Sequence, residues 1–171
     1  MRRWVWFFIL IWPLFWPTFC GANEDRREYK IKAGYIYNFL KYTRFPNPSA
    51  SLVLCSPDGE FIDIATSVIN PDASPPVQLK VIEDLSLDCS AIFIPQSYVQ
   101  WWQTRRHSEV LYHTLVIGEQ QGFTEQQAQI NFIQVGSKIR FEINIDNMRL
   151  ADLSMSVNVL RLAKVVGGDE Q

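Results

Sequence analysis

Ser51 to Ile69 reads SLVLCSPDGEFIDIATSVI. The stretch begins as a short, nearly continuous apolar run ending at Cys55. It passes through the turn signal Ser56-Pro57-Asp58-Gly59, then resumes with Phe61, Ile64, Ala65, Val68 and Ile69 at helical spacing. An apolar run without alternation suits a strand buried on both faces, and such strands occur where helices cover both sides of a parallel sheet. The stretch therefore predicts a strand, a turn and a helix, the repeating piece of an α/β fold.

The chain on either side continues the pattern. After a loop at Pro71 to Pro76, Val77 to Ile82 reads as a second strand, Ala91 to Ile94 as a third and fully apolar one, and Leu115 to Gly118 as a fourth. Tyr98 to Ser108 reads as a polar helix between the last two. Strands alternating with helices predict a single Rossmann-like α/β domain with a mostly parallel sheet flanked by helices. The C-terminal part changes period. Gln129 to Val135 and Lys138 to Ile145 alternate on either side of Gly136-Ser137, the pattern of a β-hairpin. Ser154 or Ser156 then caps a last helix carrying Val157, Leu160 and Ala163, ended by Gly167-Gly168, with Gly168 to Gln171 as a tail.

Ahead of the first strand, Glu24 to Phe45 is helical. Tyr29, Ala33, Ile36 and Leu40 make one stripe, Tyr35, Phe39 and Tyr42 a second, and Pro46 and Pro48 end the helix. A helix this apolar around its circumference needs cover on more than one side, from its own domain or in part from another chain.

The first residues have a different character. Arg2 and Arg3 precede Trp4 to Phe19, apolar apart from Thr18 and broken by Pro13 and Pro17, too short and interrupted for a span of about 20 residues. This reads as a secretory signal, cleaved near Ala22, with the domain occupying residues 23–171. Lipidation at Cys20 is the alternative, disfavoured by the bulky Phe19 before it. Losing Arg2 and Arg3 leaves 14 Lys and Arg against 18 Asp and Glu, so the net charge falls from −2 to −4. A mildly acidic export product without a basic cluster is poorly suited to nucleic acid, whose binding rests on neutralised phosphates. Cys55 and Cys89 remain, an even pair bound for an oxidising compartment. Without a CxxC or a histidine at metal spacing, a disulfide is favoured over a metal site, and two separate buried thiols are the other possibility.

Catalytic patterns are sparse. Gly59 alone does not make a phosphate-binding turn, His107 and His113 lack metal spacing, and no serine stands in a GxSxG elbow. Glu142 and Asp146, if both lay in one strand, would stand about 13 Å apart, too far for a glycosidase pair. The expectation is a protein that is not an enzyme and needs no cofactor. Two groups are candidates for a partner or ligand surface. Tyr98, Trp101, Trp102 and Arg105 share one helical side, with Arg106 beside them, a possible stacking platform. Arg140, Glu142 and Asn144 alternate with Phe141, Ile143 and Ile145, and form either the wet face of a strand or a contact row.

Three stretches together, IKAGYIYNFLKYTRFP (Ile31 to Pro46), INFIQVGSKIRFEINID (Ile130 to Asp146) and LSMSVNVLRLAKVV (Leu153 to Val166), resemble the YfiR-like periplasmic regulators. The resemblance implies an exported α/β domain, often dimeric and disulfide-bonded, with Cys55 and Cys89 matching a disulfide pair of the family. It also implies a negative regulator that binds the periplasmic part of an inner-membrane sensor, a diguanylate cyclase in the best understood case, and holds it inactive. The competing expectation is a periplasmic small-molecule binding module that reports to a membrane receptor.

Overall fold

The computed structural model describes residues 21–47 and 49–168. Of the expected leader, residues 1–22, all up to Cys20 lie outside them, as do Pro48 and the tail beyond residue 168. The chain runs through helix α1 (Gly21–Tyr42), strands β1 (Thr43–Arg44) and β2 (Leu52–Ser56), helix α2 (Gly59–Val68), and strands β3 (Val77–Val81) and β4 (Ala91–Ile94). Helix α3 (Val99–Gln103), β5 (Leu115–Gly118), β6 (Ile130–Val135) and β7 (Lys138–Asn144) follow. Helix α4 (Ile145–Leu150), β8 (Ser154–Met155), α5 (Val157–Leu160) and β9 (Lys164–Val166) complete it.

Seven strands form one sheet in the order β3-β2-β4-β5-β6-β7-β9. From β3 to β6 every neighbouring pair is parallel, β6 and β7 form the expected antiparallel hairpin, and β9 lies parallel to β7. The sequence is thus borne out in its main claim, a mostly parallel α/β sheet with a C-terminal hairpin.

Alternation along the strands divides the interior into two cores. Leu54, Ala91, Phe93, Leu115 and Ile117 face α1 and α2, whereas Cys55, Ile92, Ile94 and Val116 face Trp102 of α3, Phe123 and Ala128. Helix α1 buries Ala33, Ile36, Phe39 and Leu40, and Phe39 packs against Phe141 with ring centroids 4.8 Å apart. Its two apolar stripes are therefore covered mainly from within the domain, while Tyr42 stays 42% exposed. The helix stops at Tyr42 rather than Phe45, because Thr43 and Arg44 pair with Met155 and Ser154. The Thr43 hydroxyl donates to the Phe39 carbonyl at 2.7 Å, closing the last turn.

Three expected elements come out differently. The polar helix over Tyr98 to Ser108 is a 3₁₀ turn at Gln96–Tyr98 followed by the short α3; the amides of Arg105 and Arg106 both bond the Trp102 carbonyl and curl the chain off the helix. The second hairpin strand ends at Asn144, one residue early. The Asn144 side chain accepts from the amides of Asp146 at 2.9 Å and Asn147 at 3.0 Å and so caps α4, which puts Asp146 on a helix rather than a strand. The last helix is a single turn capped by Ser156, and Lys164–Val166, expected at its end, is an edge strand in register with Glu142–Asn144.

Cys55 on β2 and Cys89 before β4 form a disulfide, with Cα atoms 5.9 Å apart and the two residues 34 positions apart in sequence. On the chain-entropy model, closing that loop contributes about 3.8 kcal/mol. We expect the reduced protein to unfold at lower urea, with about that much less unfolding free energy. Two free thiols in oxidised protein, counted by mass spectrometry, would remove the bond from the account.

Candidate functional site

In open α/β sheets ligands collect beyond the carboxyl ends of the strands, where the strand order reverses. Here the chain leaves β2 for β3 on one side and returns to β4 on the other, so the reversal lies between β2 and β4. The chain's own side chains occupy that place. The Ser56 hydroxyl donates to the Phe93 carbonyl at 2.9 Å, and the Asp58 carboxylate caps α2 through the amides of Glu60 and Phe61. Tyr29 of α1 donates its hydroxyl to Asp58 at 2.8 Å and sets its ring edge-on to Phe61 and Phe93. One turn on, the buried Lys32 ammonium pairs with Glu28 and Glu119, and Glu119 accepts from the Gln96 amide at 2.8 Å. Burial, and then the hydrogen bond to Asp58, push the Tyr29 hydroxyl's pKa well above its ordinary value.

The row Arg140, Glu142 and Asn144 separates into three roles. Arg140 is exposed. Glu142 is 8% exposed and stands between Asn131 of β6 and Lys164 of β9, its cross-strand partners. One carboxylate oxygen accepts from the Thr124 hydroxyl at 3.0 Å and the Asn131 amide at 3.4 Å, and the other from the Lys164 ammonium at 3.3 Å. Asn144, besides capping α4, donates to the Thr124 carbonyl at 3.1 Å. Glu142 and Asn144 thus tie the turn around Thr124 to the hairpin. Thr124, Asn131 and Lys164 were not singled out from sequence, although an asparagine inside the apolar run INFI was a signal that something polar meets it there.

The aromatic and basic cluster is likewise engaged internally. Trp102 is fully buried against Phe123, with centroids 5.4 Å apart. Trp101 donates its indole N–H to the Glu83 carbonyl at 2.9 Å. The Arg105 guanidinium sits 4.8 Å from the Trp101 ring centroid and bonds Asp84 at 2.8 Å. That hydrogen bond, with the Leu85 amide, holds the exposed Asp84 carboxyl below its usual range. Tyr98 packs half-buried beside this second core. Trp101 and Arg105 together anchor the loop after β3, and Trp102 faces inward, so the four residues do not share one open platform.

These features define a disulfide-bonded α/β domain whose strand-end crevice is partly filled by side chains of its own first helix. The chain belongs to the YfiR/HmsC-like family, whose model matches residues 29–164. The matched span starts at the tyrosine in that crevice and ends at the lysine that pairs with Glu142. The family is one of periplasmic regulatory proteins. No curated protein matches the chain. Among the described residues no helix is long and apolar enough to cross a membrane.

Two substitutions test the polar network. Glu142→Ala leaves the Thr124 hydroxyl and the Lys164 ammonium without their acceptor, and Asn131 with the Gln120 carbonyl alone, and should cost about 1–3 kcal/mol in urea denaturation. Arg140→Ala should stay within about 0.5 kcal/mol, and a reversed ranking would mean that the network is not what holds the hairpin. A third concerns pH. The Tyr29 pKa is raised in the folded state, so its contribution is complete below the unfolded tyrosine value of about 10 and is lost as pH climbs above it. Tyr29→Phe should lower stability by about 1 kcal/mol near neutrality and flatten the fall in stability above pH ~10, both read from urea midpoints across pH.

Proposed function

We propose that this protein is a periplasmic negative regulator, not an enzyme, which binds the periplasmic part of an inner-membrane signalling protein and represses it. A diguanylate cyclase is the proposed partner. The family match across residues 29–164 carries the reading. The strand-end crevice adds support, because Tyr29 and Asp58 occupy with an internal bond the place where an enzyme of this layout would bind substrate, and the Lys32–Glu119 pair beside it lines only a small cavity of about 220 Å³.

A repressor of this kind works through its outer surface. Leu150, Val157 and Leu162 are 74%, 60% and 70% exposed. Large apolar side chains held in water near the C-terminal end are natural contacts for a partner. The acidic balance of the chain also suits a partner domain of opposite sign at the contact rim.

Deleting the gene should raise cellular cyclic di-GMP, and expression of the wild-type chain should restore it. A Leu162→Glu chain should fold, shown by an unchanged urea midpoint, yet recover less of a cross-linked inner-membrane cyclase in affinity capture. Unchanged cyclic di-GMP on deletion would defeat the cyclase assignment.

A further inference from the structure

A cleft of about 570 Å³ opens in the structure, lined by none of the residues that meet at the strand-end crevice under α1. Trp102, Tyr112, Val116 and Leu150 form its apolar walls, and Arg106, Gln127 and Gln129 its polar ones. The volume and mixed lining are those of a site for a small organic molecule. None of the internal bonds that fill the strand-end crevice reaches it.

The polar groups here are short of acceptors. Trp102 Nε1 and Arg106 Nε are both buried without a hydrogen-bond partner. Buried donors in this condition are rare in folded proteins and call for an explanation. Arg106 takes part in none of the ion pairs among the described residues. Gln129 has already committed its carbonyl oxygen to the Val116 amide at 2.7 Å, which leaves its NH₂ group at a long 3.4 Å from the Asn147 carbonyl. The exposed Glu109 is the acidic residue of the lining.

The backbone around the cleft is strained. His113, Gln127 and Asp152, at φ 69°, 75° and 56°, are the non-glycine residues in the left-handed region among the described residues. Gln127 lines the cleft, while His113 and Asp152 directly follow the lining residues Tyr112 and Ala151. Non-glycine residues persist in such conformations where the surroundings over-determine them, and they gather at ligand sites.

We propose that this cleft binds a small organic carboxylate with an apolar or aromatic body. The carboxylate accepts from the Arg106 guanidinium and the Trp102 indole N–H, and the body lies against Tyr112, Val116 and Leu150. An arginine and an indole N–H supply donors only, so a carboxylate fits where an amine does not. The inference does not rest on the repressor reading, although the two surfaces meet at Leu150; binding of the ligand to the purified protein tests the cleft by itself.

The test titrates the purified protein with 3-phenylpropionate and hexanoate, and with 3-phenyl-1-propanol and 3-phenylpropylamine as neutral and cationic comparators, by calorimetry and thermal unfolding. Saturable binding of a carboxylate is expected at least tenfold tighter than of either comparator. Arg106→Gln should weaken it at least tenfold, Arg105→Gln should leave it unchanged, and Leu150→Glu, which puts a like charge at the wall, should weaken it. In nitrogen-proton NMR spectra the Trp102 indole signal should move on titration, and Trp101→Phe identifies it by elimination. No saturable carboxylate binding at millimolar concentration, equal binding of the amine, or binding indifferent to Arg106→Gln would overturn the proposal.

Discussion

A mostly parallel sheet cannot leave either face to water, because its strands are apolar on both sides. In this protein the two faces are covered by very different means. One lies under α1 and α2, with a 22-residue helix laid across the strands. The other has only the short α3, a few tight turns and a disulfide. A fully buried tryptophan and phenylalanine supply on that side the volume that a longer helix would otherwise give. The covalent link between Cys55 and Cys89 therefore sits on the face with the thinner cover, where a constraint on the unfolded chain adds most to what packing provides.

The same asymmetry separates the possible sites. On the thick side α1 lies so close over the strand ends that Tyr29 and Lys32 take the bonds a ligand would use. On the thin side, short elements leave two buried donors, Trp102 Nε1 and Arg106 Nε, without partners beside the cleft. Between them, the buried Glu142 fixes the hairpin to β9 and to the Thr124 turn through bonds on both of its oxygens. A buried carboxylate with satisfied oxygens and one lysine partner serves to set register, since any slip of the hairpin would strand the charge.

Much of this architecture was legible in the sequence because it follows from periodicity. Apolar runs marked β2, β4 and β5, alternation marked the β6–β7 hairpin, and two cysteines flanking strands marked the bridge. What escaped reading depended on partners far along the chain. Lys164 to Val166 continues a helical pattern locally, yet pairing with Glu142 to Asn144 draws it into the sheet. The end of β7 was misplaced by one residue because Asn144 turns its side chain onto the following amides, a local bond that competes with the strand. The aromatic cluster at Tyr98 to Arg105 shared a helical side on paper, but the helix lasts only to Gln103, and each side chain follows its own contact.

Helix α1 packs against α2, the next helix in the chain, and against elements near the far end of the sequence. Its Tyr35 and Phe39 rest on Phe132 and Phe141, and Thr43 at its exit pairs with Met155. A chain that emerges N-terminus first, from a ribosome or through a membrane pore, presents this apolar helix long before the hairpin that covers it exists. The domain can begin with α1 against α2, but the face that carries Tyr35 and Phe39 is covered only when almost the whole length has appeared. During that interval α1 is an adhesive surface, and the cell has to keep it from finding the wrong partner.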